Sequence, residues 1–246
     1  MIQELEGRVA IVTGSSSGIG EAVARYLSLA GVNVVVNSST STTQGRRVAE
    51  ALPTDSIYIQ ADISNPHQCE GLVDQALKRF GRLDILVNNA GWTSPVDHDD
   101  LEGLTDDILF KTFEVNVYGT WWVTRAAMPH LKESPDGNVT NVTSAAGIRP
   151  VGSSIAYAMA KASLNHLTRL LAKSHGPVRV NAVAPGLIDT PWVADQVERR
   201  EAVVSRAPMG RLGTADDVAA AAMAVITNPY VTGEIFVVDG GVTQMV

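Results

Sequence analysis

The sequence predicts an α/β protein: a doubly wound sheet of about seven parallel strands with helices on both faces, in a single domain over residues 1–246. Three observations carry that prediction. Short β-branched runs alternate with amphipathic segments of helical period along the chain. The runs are almost wholly apolar, as strands covered on both faces must be. A glycine-spaced turn joins the first run to the first helical segment, and no linker, repeat or low-complexity tract interrupts the alternation.

Taken in order, residues 8–13 are the first apolar run, ending at Gly14, and the helix that follows runs through Ala30 to a stop at Gly31. Residues 32–37 form a second strand, and the polar stretch 38–43 precedes a helix near 44–52. A third strand at 56–60 leads to a helix over 65–80, with Ser64 as its N-cap and Gly81 past its end. A strand at 83–88, a long helix over about 106–132 and a strand at 137–143 continue the pattern. A helix at 154–174 and a strand at 178–184 follow. A loop carrying Pro185, Pro191 and Pro208 then leads to a helix at 215–227 and a last strand at 235–238. Ligands of such sheets bind beyond the carboxyl ends of the strands, so residues there are the first candidates for a site.

Composition narrows the function classes. With 45% hydrophobic and 18% charged residues, a sizeable buried core is expected. A net charge of -7 argues against a general nucleic-acid binder, which needs a basic stripe. It leaves a phosphate-bearing cofactor open, because a phosphate site needs only a few local donors. No apolar run is long enough to span a bilayer, and the acidic start does not read as a signal peptide. Cys69 is the single cysteine, which excludes an intrachain disulfide and a thiolate cluster. A cytoplasmic protein without membrane or nucleic-acid partners is expected. His67, His98, His130, His166 and His175 show no metal-ligand spacing, so they are read as surface or packing residues and no metal is expected.

The turn Thr13-Gly14-Ser15-Ser16-Ser17-Gly18-Ile19-Gly20 follows the first strand. Glycines at these places allow a tight turn and let backbone approach a pyrophosphate at a helix N-terminus. The spacing is G-x-x-x-G-x-G rather than the commoner G-x-G-x-x-G. An acid ending the second strand would bind ribose hydroxyls and repel a 2′-phosphate. Here Asn37, Ser38 and Ser39 stand there instead, which favours NADP(H) and keeps NAD(H) as the alternative. Arg46 and Arg47 are within reach in sequence but read better as solvated helix charges. Asp62, with Ile63 after it, is either an acceptor for an adenine amino group or a turn residue. Asn88-Asn89-Ala90-Gly91 closes the fourth strand with small residues that leave room for a cofactor.

Tyr157 and Lys161 are four apart on a predicted helix, so phenol and ammonium share one face. A neighbouring ammonium favours phenolate and is expected to lower the tyrosine pKa, letting Tyr157 exchange a proton with a carbonyl or alcohol oxygen. Ser144, after the fifth strand, is placed to donate to the oxygen on which charge grows. The amide of Asn116, inside the long helix, is expected to hold a water linking Lys161 to solvent. Trp92, Ile148, Trp192 and Val193 are candidates for an apolar substrate wall. The charged stretch 193–208 reads equally as a lid or a fixed surface helix, and Trp121 and Trp122 as core and subunit contact.

These residues, in order and spacing, resemble the short-chain dehydrogenase/reductase family in its single-domain branch, over nearly the whole chain. The resemblance implies a Rossmann-like fold and an Asn-Ser-Tyr-Lys tetrad of Asn116, Ser144, Tyr157 and Lys161. It further implies that Lys161 binds the nicotinamide ribose, and that Pro185-Gly186 with Ile188 and Thr190 holds the carboxamide. A homotetramer to which the strand around 236–238 contributes is also implied. Within the family the chain is similar to 3-oxoacyl-carrier-protein reductases and small carbonyl reductases. It lacks their usual basic residues before the fifth strand, having Lys132-Glu133-Ser134-Pro135-Asp136-Gly137. Hydride transfer between NADP(H) and a small ketone or secondary alcohol is therefore expected. The alternatives are a 3-oxoacyl-carrier-protein reductase, an NAD-dependent alcohol dehydrogenase and a non-catalytic dinucleotide sensor.

Overall fold

The computed structural model describes residues 5–245. The chain runs β1 (Val9–Val12), α1 (Gly18–Leu29), β2 (Asn33–Ser38), α2 (Thr42–Ala51), β3 (Ile57–Gln60), α3 (Pro66–Phe80) and β4 (Ile85–Asn88). It continues through α4 (Asp106–Phe113), a π-helical stretch (Glu114–Gly119), α5 (Thr120–Glu133), β5 (Asn138–Val142) and α6 (Ile155–Ser174). The last part holds β6 (Arg179–Pro185), β7 (Ile188–Asp189), α7 (Val197–Arg206), β8 (Gly213–Thr214), α8 (Ala215–Thr227) and β9 (Ile235–Val238).

Seven strands form one parallel sheet in the order β3-β2-β1-β4-β5-β6-β9. The chain winds outward from β1 through β2 to β3, then returns to the other side of β1 with β4. The crevice between the ends of β1 and β4 is thus the topological switch point, where such sheets take their ligands.

Successive side chains of a strand point to opposite faces, and both faces here are apolar. Ala10 and Val12 pack with Val34, Val36, Ile85 and Val87 against α1 and α8, through Val23, Leu27, Val218, Ala222 and Ile226. Val9 and Ile11 pack with Val35 and Leu86 against α3 and α5, through Leu72, Val73, Val123, Ala127 and Leu131. Each fully buried leucine or isoleucine of these two cores contributes about 1.5–3 kcal/mol. A one-residue slip of β1 would exchange the two faces, so the register Val9↔Asn33 and Ala10↔Ile85 is fixed by packing on both sides.

The structure differs from the sequence expectations in three places. The N-cap of α3 is Asn65, not Ser64: Asn65 Oδ1 accepts from the amides of His67 (3.0 Å) and Gln68 (3.2 Å). Pro66 has no amide proton and a fixed φ, so it sits at the first helical position and places the cap one residue before it. The long helix expected over 106–132 is interrupted by the π-helical stretch that contains Asn116. A small second sheet, β7 with β8, was not expected; it pairs Ile188 with Gly213 and Asp189 with Thr214, closing the base of the segment that carries α7. Among the described residues no helix is long and apolar enough to cross a membrane, and no cluster of His, Cys, Asp or Glu could hold a metal ion.

Candidate active site

The glycine turn after β1 is stitched across the switch point to the segment after β4. The Thr13 hydroxyl accepts from the amides of Asn89 (3.0 Å) and Ala90 (3.1 Å). Asn89 Nδ2 donates back to the carbonyls of Thr13 (3.0 Å) and Gly14 (2.9 Å). Gly14 has φ +61°, and a Cβ there would lie 2.8 Å from the Ala90 Cα, so only glycine fits. Gly20 does not reach the cavity; a Cβ on it would meet Asn89 Nδ2 and the Gly14 carbonyl at 2.5 Å, so it serves the packing of helix on turn. Ser17 caps α1 without a side-chain hydrogen bond. The first turn of α1 therefore keeps backbone donors free, and Gly14, Ser16, Ser17, Gly18 and Ile19 line the cavity in front of it.

At the end of β2 the predicted residues divide. Asn37 is fully buried, and its Nδ2 donates to the carbonyls of Ile59 and Ala61, both at 3.1 Å. Its amide ties β2 to β3 and is engaged, which corrects its reading as a donor to phosphate. The Ser38 hydroxyl shares a 2.9 Å hydrogen bond with the Tyr58 hydroxyl. Asn37 and Ser38 nonetheless line the cavity with Ser39, Thr40 and Ser41, while Arg46 and Arg47 are exposed on α2 and do not. Asp62 Oδ1 accepts from the amide (2.9 Å) and hydroxyl (2.8 Å) of Ser64, so one carboxylate oxygen closes a turn while the residue edges the cavity beside Ile63.

Asn116 is fully buried in the π-helical stretch. Its Nδ2 donates to the carbonyls of Trp92 (2.7 Å) and Thr112 (2.8 Å), and its Oδ1 accepts from the Trp92 amide at 3.4 Å. The side chain holds the chain beyond β4, and both of its N–H donors are engaged there. A Cβ on Gly91 would stand 2.8 Å from Asn116 Oδ1 and 3.6 Å from Lys161 Nζ, so the glycine lets these groups close up.

Ser154 caps α6 by accepting from the Tyr157 amide (3.2 Å), which fixes the turn that presents Tyr157. Lys161, one turn on, is 3% exposed; its Nζ donates to the Val142 carbonyl at 3.0 Å and stands 5.5 Å from the centroid of the Tyr157 ring. Burial holds the lysine down to about 8. Burial also pushes the Tyr157 phenol up to about 12, opposed first by the nearby Ser144 hydroxyl and then by the charge of Arg199. In the chain alone, burial outweighs these two groups. Ser144 itself begins a short turn by accepting from the Ala146 amide at 3.2 Å.

The glycine turn, the end of β2 and the Ser144, Tyr157 and Lys161 side chains open into one cavity of about 1950 Å³, which Asn116 and Ser154 support from behind without lining it. Ser144, Tyr157 and Lys161 line it together with Asn89, Ala90, Gly91, Pro185, Gly186, Ile188 and Thr190. Trp92, Trp192 and Val193 line it as expected, with Lys111 Nζ 5.1 Å over the Trp92 ring. Ile148 does not: it ends the short helical turn Ala145–Gly147 outside the lining, and Val151, Gly152 and Ser153 take that wall. Trp121 is 42% exposed and Trp122 stacks on Tyr118 with centroids 6.0 Å apart; neither lines the cavity. The sequence reading missed Gln196, Arg199 and Ala202 of α7 as lining residues. The one signal for them was the proline-bounded, charge-rich stretch 193–208.

Comparison with known proteins agrees with this geometry. A family model described as "Enoyl-(Acyl carrier protein) reductase" matches residues 14–243. A Streptomyces violaceoruber protein named "Granaticin polyketide synthase putative ketoacyl reductase 2" is 48% identical, covering 96% of each chain. A 3-oxoacyl-acyl-carrier-protein reductase of Thermotoga maritima is 32% identical, covering 96% of this chain and 98% of its own. The crystal structure of a short-chain dehydrogenase from Burkholderia cenocepacia in complex with NADP superposes with TM-score 0.90 at 34% identity, covering 98% of this chain and 99% of that one. The chain belongs to the short-chain dehydrogenase/reductase family of oxidoreductases.

Proposed function

We propose that this chain transfers hydride between NADP(H) and a ketone or secondary alcohol, with Tyr157 as the general acid/base. The observation that carries this reading is the joining of two features in one cavity: a glycine turn with free helix N-terminal donors, and a Ser144–Tyr157–Lys161 set in which the lysine is buried and the two hydroxyls are half-buried. A dinucleotide fits the residues present. The first turn of α1 suits its pyrophosphate, and Lys161 has one carbonyl partner for three N–H donors, leaving two for ribose hydroxyls. When bound, a nicotinamide supplies or accepts the hydride.

The rest is done by side chains. A phenol held near 12 keeps its proton at neutral pH, so Tyr157 is set as a donor to a carbonyl oxygen. Ser144 donates to the same oxygen and stabilises the charge that develops there. Lys161 orients the ribose, and Asn116 and Gly91 fix the wall behind it. Tyr157→Phe is expected to lower turnover roughly 10²–10⁴-fold while NADPH binding, followed by nucleotide fluorescence, stays within about twofold. Near-normal turnover in that variant overturns the mechanism.

A second reading, reduction of 3-oxoacyl groups, draws support from the names of the Streptomyces and Thermotoga relatives. A panel of 3-oxoacyl thioesters and free ketones, each with NADPH and NADH, separates the two. For assembly, the edge strand β9 leaves Phe236 50% and Val237 38% exposed, which supports the tetramer reading; light scattering tests it.

A further inference from the structure

We propose that Arg199 anchors a carboxylate of the substrate, so that the preferred carbonyl substrate is an oxo acid. This rests on the reductase reading above and names its substrate class. Arg199 lies on α7, which spans the cavity mouth, and it lines the same space as Tyr157 and Ser144. It is half-buried, and its Nη1 donates to Gln196 Oε1 at 3.1 Å. Among the described residues no carboxylate forms an ion pair with it. The next residue shows the contrast: Arg200 Nη1 is paired with Asp189 at 2.6 Å and points along the outer edge.

A guanidinium drawn partly out of water with only a neutral amide as partner is poorly compensated, and an oxyanion is the group that corrects this. Arg199 lines one cavity with Tyr157 and Ser144, so the anion it holds belongs to a molecule whose carbonyl meets those two hydroxyls. Of the other charged groups of the lining, the half-buried carboxylate of Asp62 is held by Ser64 at the turn after β3. Asp195 and Glu198 are exposed on the same segment, and Asp97 and Glu114 are exposed on the opposite wall. Lys111, exposed, stands over Trp92, and Arg206 is exposed at the far end of α7. Lys161 is assigned to the nicotinamide ribose, so Arg199 is the remaining lining cation that is partly withdrawn from solvent. Its fork can hold a carboxylate by two parallel hydrogen bonds.

The test compares wild type with Arg199→Met and Arg199→Lys on a short 3-oxo carboxylate and its methyl ester. Wild type is expected to favour the carboxylate, and Arg199→Met to lose about 10- to 100-fold in kcat/KM on it with little change on the ester. Arg199→Lys is expected to recover part of the loss, and the Kd for NADPH to stay within about twofold in both variants. Carboxylate binding to the NADPH complex, read from nucleotide fluorescence without turnover, is expected to weaken in parallel. A wild type that reduces the ester and shows no preference for the acid overturns the anchor and leaves the reductase reading standing. A fall in NADPH affinity with the preference kept also overturns it, because Arg199 then serves the cofactor. Carboxylate binding lost in Arg199→Met without hydride transfer in any variant overturns the reductase reading and keeps the anchor.

Discussion

The side-chain amide of Asn116 holds the backbone of Trp92 at both ends, donating to its carbonyl at 2.7 Å and accepting from its amide at 3.4 Å. That pair fixes the chain beyond β4, where Ala90 and Gly91 line the cavity next to Lys161. Asn116→Asp keeps the size and removes the donor, setting a carboxylate oxygen against two carbonyls. Stability is expected to fall by about 1–3 kcal/mol, read by thermal unfolding. Turnover is expected to fall by up to about a hundredfold through misplacement of the wall. An unchanged melting temperature would show that the pair is not structural.

Lys161 is buried with a single carbonyl partner, and its pKa is held at about 8 against an ordinary value of 10.5. The sign follows from proton binding. Between about pH 8 and 10.5 the unfolded chain keeps the proton that the folded chain has lost, so this group's contribution to stability rises with pH. Below about pH 8 the buried charge costs the folded state on the order of 1–3 kcal/mol. Lys161→Met is therefore expected to be inactive but more stable than wild type at pH 7, with the difference shrinking toward pH 10. Denaturant unfolding at several pH values measures it; a variant less stable at pH 7 refutes the assignment.

The sheet was legible because period and composition are local properties. The apolar runs of β1, β2 and β4 can only be strands buried on both faces, and Tyr157 and Lys161 share a helix face by spacing alone. What was not legible depends on partners distant in sequence. Asn37 looked like a ligand donor until Ile59 and Ala61 claimed its amide. The grip of Asn116 on Trp92 was hidden because nothing in sequence shows that Trp92 folds back onto it. For Tyr157, four-residue spacing fixes the face it shares with Lys161, but the burial that raises its pKa in the chain alone comes from neighbours distant in sequence. Arg199 had no motif to mark it; α7 lines the cavity from a loop whose base is closed by the pairing of β7 with β8.

Two glycines give opposite expectations from the same substitution. At Gly14, alanine meets the Ala90 backbone at 2.8 Å in a φ +61° conformation. Gly14→Ala is expected to lose at least about 1–3 kcal/mol and most dinucleotide affinity. Gly71, inside α3, has nothing within 4 Å of a Cβ. Gly71→Ala is expected to gain about 0.5–1 kcal/mol, a rise of about 1–4 °C in Tm, with activity unchanged. Equal effects at the two sites would mean that close approach at the turn does not constrain the fold.

The proposed preference for NADP(H) can be tested at Ser39, which is exposed, lines the cavity at the end of β2 and carries no charge. The Ser38 hydroxyl is engaged by Tyr58, and Arg46 and Arg47 lie outside the cavity. Discrimination at this end therefore rests on the absence of a carboxylate and on the hydroxyls of Ser39, Thr40 and Ser41. Ser39→Asp places a negative charge where a 2′-phosphate would sit. A repulsion of about 1.4 kcal/mol, modest for charges a few ångströms apart in a partly exposed site, is a tenfold change. NADPH affinity is expected to fall about tenfold or more, while NADH affinity stays the same or rises because the carboxylate can accept from the ribose hydroxyls. Raising the salt concentration is expected to shrink the NADPH effect, since the charges are partly exposed. Fluorescence titration with both nucleotides decides it. Equal losses for the two would place the 2′-phosphate elsewhere and remove the basis for preferring NADP(H).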